Sequence, residues 1–179
     1  MRNWSQLVTT LAQLQERAAT LRTEQWRSAP PNPPATDADI AAAEQRLDVL
    51  FDDAYRDLLR TCNGWPVFGS SQLYGTNDLG ASDLWALNND AIDEYFASQG
   101  RDATKAPDGH KFVLVAHDNS SSRFVVAAFP TATREQSSRC YDCQSGEDTP
   151  FDDIYAWAQF ESRAITIGLD EAIAEVAEQ

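Results

Sequence analysis

TDADIAAAEQRLDVLFDDAYRDLLRTCNGWPVFGSSQLYG, residues 36–75, decides the fold. Thr36, with Asp39 three residues on, makes a capping-box pattern, so a helix is expected to begin at Asp37. Ile40, Ala43, Leu47 and Leu50 fall on one face of that helix, and Glu44 lies beside the face, one turn beyond Ile40. A second helix is expected from about Asp53 to Cys62, burying Tyr55, Leu58, Leu59 and Cys62. Asn63-Gly64 supplies the left-handed backbone geometry that ends a helix. Trp65-Pro66-Val67-Phe68-Gly69 is an aromatic turn, and Gln72-Leu73-Tyr74 reads as a short strand stopped by Gly75. The stretch is a helical hairpin feeding a sheet, and it holds no arrangement of groups that looks like a reaction centre.

Towards the N-terminus, Trp4, Leu7, Leu11, Leu14, Ala18 and Leu21 follow three-four spacing, the mark of a helix with a narrow apolar seam. Three heptads are marginal for an independent coiled coil, so the seam is expected to pack on the rest of the chain. Trp26 closes this element, and SAPPNPPAT breaks it, because clustered prolines lack N–H donors and hold the chain extended. The expected organisation is an N-terminal helix over 1–27, a proline-rich connector over 28–35 and an α+β domain over 36–179.

Towards the C-terminus, residues 82–87 are read as a strand, and Asn88 as the cap of a helix from about Asn89 to Ser98. Residues 111–116 and 124–129 are the two clearest strands, joined by a turn rich in Asn and Ser. Both are apolar on both faces and so belong in the middle of a sheet covered by helices. Residues 138–143 form a further strand. A helix from Phe151 to Ser162 presents Ile154, Trp157, Ala158 and Glu161 on one stripe; Gly168 is expected to break it before a short helix from Leu169 to Ala177. The fold class is therefore α+β, a mixed but largely antiparallel sheet flanked by helices, with an N-terminal helix in front.

Composition sets the bounds on function. A length of 179 residues suits one domain with a real core, and 42% hydrophobic with 23% charged content is ordinary for a soluble protein. No signal sequence opens the chain, and no run approaches the roughly 20 apolar residues of a membrane span. Three cysteines fit a reducing compartment better than a disulfide framework, so a cytoplasmic protein with no membrane partner is expected. The net charge of −14 is uneven: residues 1–30 carry +2 and the remainder −16. An acidic body repels nucleic acid and speeds encounter with basic partners, although it also serves plain solubility.

Chemistry is thinly represented. Cys140-Tyr-Asp-Cys143 has zinc-ligand spacing and the chain has two histidines. On a regular strand, however, His110 and His117 would point to opposite faces, seven residues apart. His117-Asp118 with the serines at 120–122 lacks a nucleophile-elbow pattern, and the glycines are too scattered for a phosphate loop. Cys62 reads as a small buried hydrophobe and Glu44 as a structural hydrogen-bond acceptor. No catalytic residue, metal or cofactor is expected.

The order Ile40, Glu44 and Leu47, then Tyr55 and Leu58, then Asn63-Gly64 resembles the opening signature of the SUKH superfamily, the Smi/Knr-type domain. The elements that carry the resemblance cover about a fifth of the chain, and Phe51-Asp52 stands where the family usually has Leu-Pro. Asp52 can still start the helix, as an N-cap rather than as a first-turn proline. The resemblance implies a curved sheet with flanking helices. It also implies, for bacterial members, an immunity protein that binds and blocks a toxin, often a nuclease. The alternative is a regulatory or scaffold adaptor of the Smi/Knr type, with a small hydrolase or metal-dependent enzyme third. Residues 75–94 hold Asp78, Asp83, Asp90, Asp93 and Glu94 without one basic residue. These acids, with Trp65, Tyr74 and Trp85 as aromatic anchors, are the expected contact surface for a basic toxin domain.

Overall fold

The computed structural model describes residues 2–20, 28–98, 106–118, 123–133 and 138–177. They form helices α1 (Trp4–Thr20), α2 (Asp37–Leu47), α3 (Asp53–Thr61), α4 (Asp83–Ser98) and α5 (Ile154–Ala177). The strands are β1 (Trp65–Phe68), β2 (Ser71–Leu73), β3 (His110–Asp118), β4 (Arg123–Pro130), β5 (Arg139–Gln144) and β6 (Glu147–Phe151). The sheet runs β1-β2-β3-β4-β5-β6 in chain order with every neighbouring pair antiparallel, an α+β fold.

The deciding stretch folds as its caps dictate. Thr36 and Asp39 form the reciprocal capping box at α2, and the Asp52 side chain accepts from the Tyr55 N–H at 2.9 Å to start α3. The connector is extended and stitched to the end of α3: Ala35 N–H donates to Leu59 O at 2.9 Å and Asn32 N–H to Gly64 O at 3.0 Å. The buried side of α1 is Trp4, Val8, Leu11, Gln15 and Ala18, with Leu7 and Leu14 half-buried at its flank. Trp4, Val8 and Leu11 join the same core as α3 and the sheet. Leu21 and Trp26 lie outside the described residues.

Both faces of the sheet are covered. Cross-strand partners share a face, and side chains alternate along a strand. Phe129 meets Phe51 and Tyr55, at 4.9 and 5.0 Å between ring centres, which puts α3 on its face. Phe124, five residues earlier and on the opposite face, meets Tyr95 of α4 at 6.2 Å. Phe112 stacks on Phe96 of α4 at 5.5 Å, whereas Trp157 of α5 donates to Asp142 on the α3 side. Each described tryptophan indole donates to another element: Trp4 to Ala54 O, Trp65 to Ala29 O, Trp85 to Leu114 O and Trp157 to Asp142.

Residues 65–68, read as part of an aromatic turn, are strand β1, and the sequence reading needs correction in four further places. Residues 83–98 are one helix, not a strand followed by a helix capped at Asn88. Ser82 is the cap, its hydroxyl accepting from the Trp85 N–H at 3.2 Å, and Trp85, Ile92 and Phe96 make the buried face at helical spacing. The second correction is that α5 runs straight through Gly168. Ile165 and Leu169 are buried on either side of it, and that packing outweighs the roughly 1 kcal/mol by which a mid-helix glycine disfavours helix. Third, Phe151, read as the start of a helix, ends strand β6, and α5 begins at Ile154; Pro150 in β6 stands on the sheet edge, where the missing N–H is tolerated.

The fourth concerns the histidines. β3 carries an extra residue between Leu114 and Ala116, where β4 advances only from Val126 to Val125. The bulge cancels the odd separation, so His110 and His117 lie on the same face, opposite Pro130 and Phe124. They stand near the two ends of β3, about 20 Å apart at the rise of an extended strand. The turn residues 119–122 lie outside the described residues.

Candidate functional site

The Ile-x-x-x-Glu-x-x-Leu helix and its partner are a structural brace. Ile40, Leu47, Tyr55 and Leu58 are core residues. Glu44, 6% exposed, accepts from the Phe51 N–H at 2.9 Å and takes Arg56 Nη1 at 3.0 Å on both carboxylate oxygens. Asn63 Oδ1 accepts from the Thr76 N–H at 2.7 Å and its amide donates to the Thr76 hydroxyl at 2.9 Å. Gly64, at φ +84°, sits two residues beyond the C-cap Cys62 and brings the chain against Gly75 rather than capping α3 directly.

The expected aromatic anchors are inside the molecule. Trp65 and Tyr74 are fully buried and Trp85 is 9% exposed, so they hold the fold together and present no surface. Tyr74 Oη lies 2.8 Å from His117 Nδ1 and 3.0 Å from Asn88 Nδ2, and Asn88 Nδ2 is 3.2 Å from His117 Nε2. This buried cluster pins α4 over β2 and β3, and burial pushes the Tyr74 hydroxyl up to about 12. His117 is therefore a core group facing polar partners rather than an exposed base. Asp78 is half-buried and closes a turn, its carboxylate accepting from the Gly75 N–H at 3.2 Å.

The acids of α4 do lie outside. Asp83, Asp90 and Glu94 are exposed, at helical spacing that places them on the face opposite Trp85 and Ile92. Asp93 belongs to α4, but its side chain lies outside the described residues. Two residues that sequence reading missed join this face: Leu87, 68% exposed, and Leu84, 43% exposed. The signal was available in the helical spacing of Trp85, Ile92 and Phe96, once residues 82–87 are not taken as a strand. The result is an apolar ridge among three carboxylates on a helix that carries no basic residue.

Among the described residues, the thiols and metal-ligand types do not converge. Cys140 pairs with Ala127 and Cys143 with Phe124, so they point to opposite faces of β5. Cys62, Cys140 and Cys143 are all buried, and none is in a disulfide. Burial pushes the Cys62 thiol up to about 12 and moves Cys140 upward as well. Among the described residues, no group of three or more His, Cys, Asp or Glu side chains is arranged to hold a metal ion. Among them also, no helix is long and apolar enough to cross a membrane.

Beside this geometry stands the comparison with known proteins. The family model described as the SMI1 / KNR4 family (SUKH-1) matches residues 34–167, which span α2 to most of α5 and include the Glu44 brace and the Asn63-Gly64 junction. No curated protein matches the chain. With three quarters of its length matched, the chain belongs to the SMI1 / KNR4 (SUKH-1) family.

Proposed function

We propose that this chain is an immunity-type protein: it binds a toxin domain in the cytoplasm and neutralises it by covering its working surface. The observation that carries the reading is the outer face of α4, where Asp83, Asp90 and Glu94 surround Leu84 and Leu87 with no basic residue on the helix. A nuclease that holds a polyanion needs a basic surface, and an acidic partner associates with such a surface fast and in a salt-dependent way. Like charges four residues apart, as at Asp90 and Glu94, cost a free helix a few tenths of a kcal/mol. A cationic partner removes that cost. The reading needs no catalytic group, cofactor or bound nucleic acid.

An adaptor of the Smi/Knr type would use the N-terminal helix and the proline connector, and the buried side of α1 is already packed against α3 and α5. The test is affinity purification from the native organism in low salt, with mass spectrometry of what stays bound. The expected result is one stoichiometric basic protein carrying a nuclease-like domain, encoded next to this chain. A set of housekeeping proteins would move the function to the adaptor class.

A further inference from the structure

Across the sheet from α4, a different surface has its own chemistry. Arg123, at the start of β4, donates Nε to Asp142 Oδ1 at 2.8 Å, and its Nη2 is shared between Asp142 Oδ2 and Glu161 Oε1. Trp157 Nε1 donates to Asp142 Oδ2 at 3.2 Å, so both oxygens of Asp142 are engaged. Glu161 is only 3% exposed, yet among the described residues its Oε2 accepts no hydrogen bond. The three side chains carry two negative charges and one positive, so this nearly buried cluster is one cation short.

The shortfall faces a cleft. Glu161 and Arg123 line a cavity of about 340 Å³ together with Gly69, Ser70, Phe160 and Ala164. A second cavity, of about 270 Å³, adjoins it over the β5–β6 hairpin, shares Arg123, Gln144 and Phe160, and adds Asp142 and Glu147. Phe160 stands where the two meet and is 47% exposed, large for an aromatic ring on a helix whose other face fills the core. A ring beside an open carboxylate oxygen is complementary to a flat cation, which stacks on the ring and donates to the oxygen. Burial, partly offset by Arg123, pushes the Glu161 carboxyl above the usual carboxylate range, in keeping with a cluster that lacks positive charge.

We propose that this cleft is a binding site for an arginine side chain of a protein partner, its guanidinium stacking on Phe160 and donating to Glu161 Oε2. Such a residue would bring the cluster to neutrality. The site lies on the α5 side of the sheet, independent of the α4 face and of the toxin reading.

The test uses N-acetyl-arginine methylamide as the probe on the full chain, followed by the NMR resonance of the Trp157 indole N–H, which reports on Asp142 directly. A saturable shift in the millimolar range is expected, with none from N-acetyl-leucine methylamide. Phe160→Ala, at an exposed position, should weaken the probe about five-fold through loss of the cation–ring contact. Ala164→Trp, which fills the cleft from an exposed position on its rim, should abolish binding while leaving the fold intact. No saturable shift overturns the site, as does an equal response to the leucine probe or unchanged affinity in both variants. None of these outcomes bears on whether a toxin binds α4.

Discussion

Gly64 and Gly75 meet backbone to backbone where the helical hairpin passes into the sheet. A Cβ on Gly64 would lie 2.6 Å from Gly75 N, and one on Gly75 would overlap the carbonyl of Asn63. The contact joins the end of α3 to the end of β2, and Asn63 seals it by bonding Thr76 with both ends of its amide. Because the clash is with backbone, neither side can yield by a rotamer change. Gly75→Ala is therefore expected to destabilise the fold by about 2–4 kcal/mol, read as a lower urea midpoint. A loss below about 0.5 kcal/mol, the level of an ordinary surface change, would mean that the two segments separate at no cost.

Glu44 is a brace, so its loss should show in stability. Glu44→Ala leaves the Phe51 N–H and the half-buried Arg56 guanidinium without their carboxylate. Breaking such a pair from one side costs about 3 kcal/mol. Glu44→Gln, which keeps an acceptor for Phe51, should lose less. Chemical denaturation of the two variants measures the difference, and equal losses would argue against the paired-charge explanation.

Asp52 makes stability depend on pH in a definite direction. Burial pushes its carboxyl above the usual range, opposed by the Ser138 hydroxyl and the Tyr55 N–H. With its folded pKa above the unfolded one, the native state binds the proton more tightly. Its contribution is fully present below the unfolded pKa, about 4, and is lost as pH rises through the folded value. Asp52→Asn keeps the N-cap acceptor and removes the titration. The difference in unfolding free energy between wild type and variant should move in the variant's favour across that window, then level off. A pH-independent difference would sink the assignment.

The three thiols should be silent in the native state. Cys62, Cys140 and Cys143 are buried, with the first two pushed away from the reactive thiolate. An aromatic disulfide reagent at neutral pH is expected to find none of them until denaturant is added, and then all three. Rapid native labelling would show that β5 or the end of α3 opens readily.

On the outer face of α4, charge and apolar contact should separate kinetically. In the proposed toxin complex, reversing Asp83 and Asp90 to lysine is expected to slow association about ten-fold or more at low salt, an effect that added salt removes. Leu87→Ala should leave folding stability within about 0.5 kcal/mol, since the side chain is exposed, and should speed dissociation instead. Stopped-flow binding at two ionic strengths reads both. An unchanged on-rate in the charge-reversal variant would remove α4 from the interface.

What the sequence determined by itself was local. The capping box at Thr36, the N-cap at Asp52, the buried faces of α2 and α3 and the Trp157–Glu161 stripe of α5 all follow from side chains a few residues apart. The two central strands and the acidity of residues 75–94 were legible for the same reason. Tertiary structure decided which groups meet water. Trp65, Tyr74 and Trp85 look like surface anchors in a polar stretch, but strands and loops distant in sequence bury them and hydrogen-bond their indoles and hydroxyl. Leu84 and Leu87 are equally apolar in the sequence and end up exposed, because α4 has the sheet on one side only. The bulge in β3, the helix through Gly168 and the open oxygen of Glu161 likewise depend on packing between remote segments, which no local period encodes.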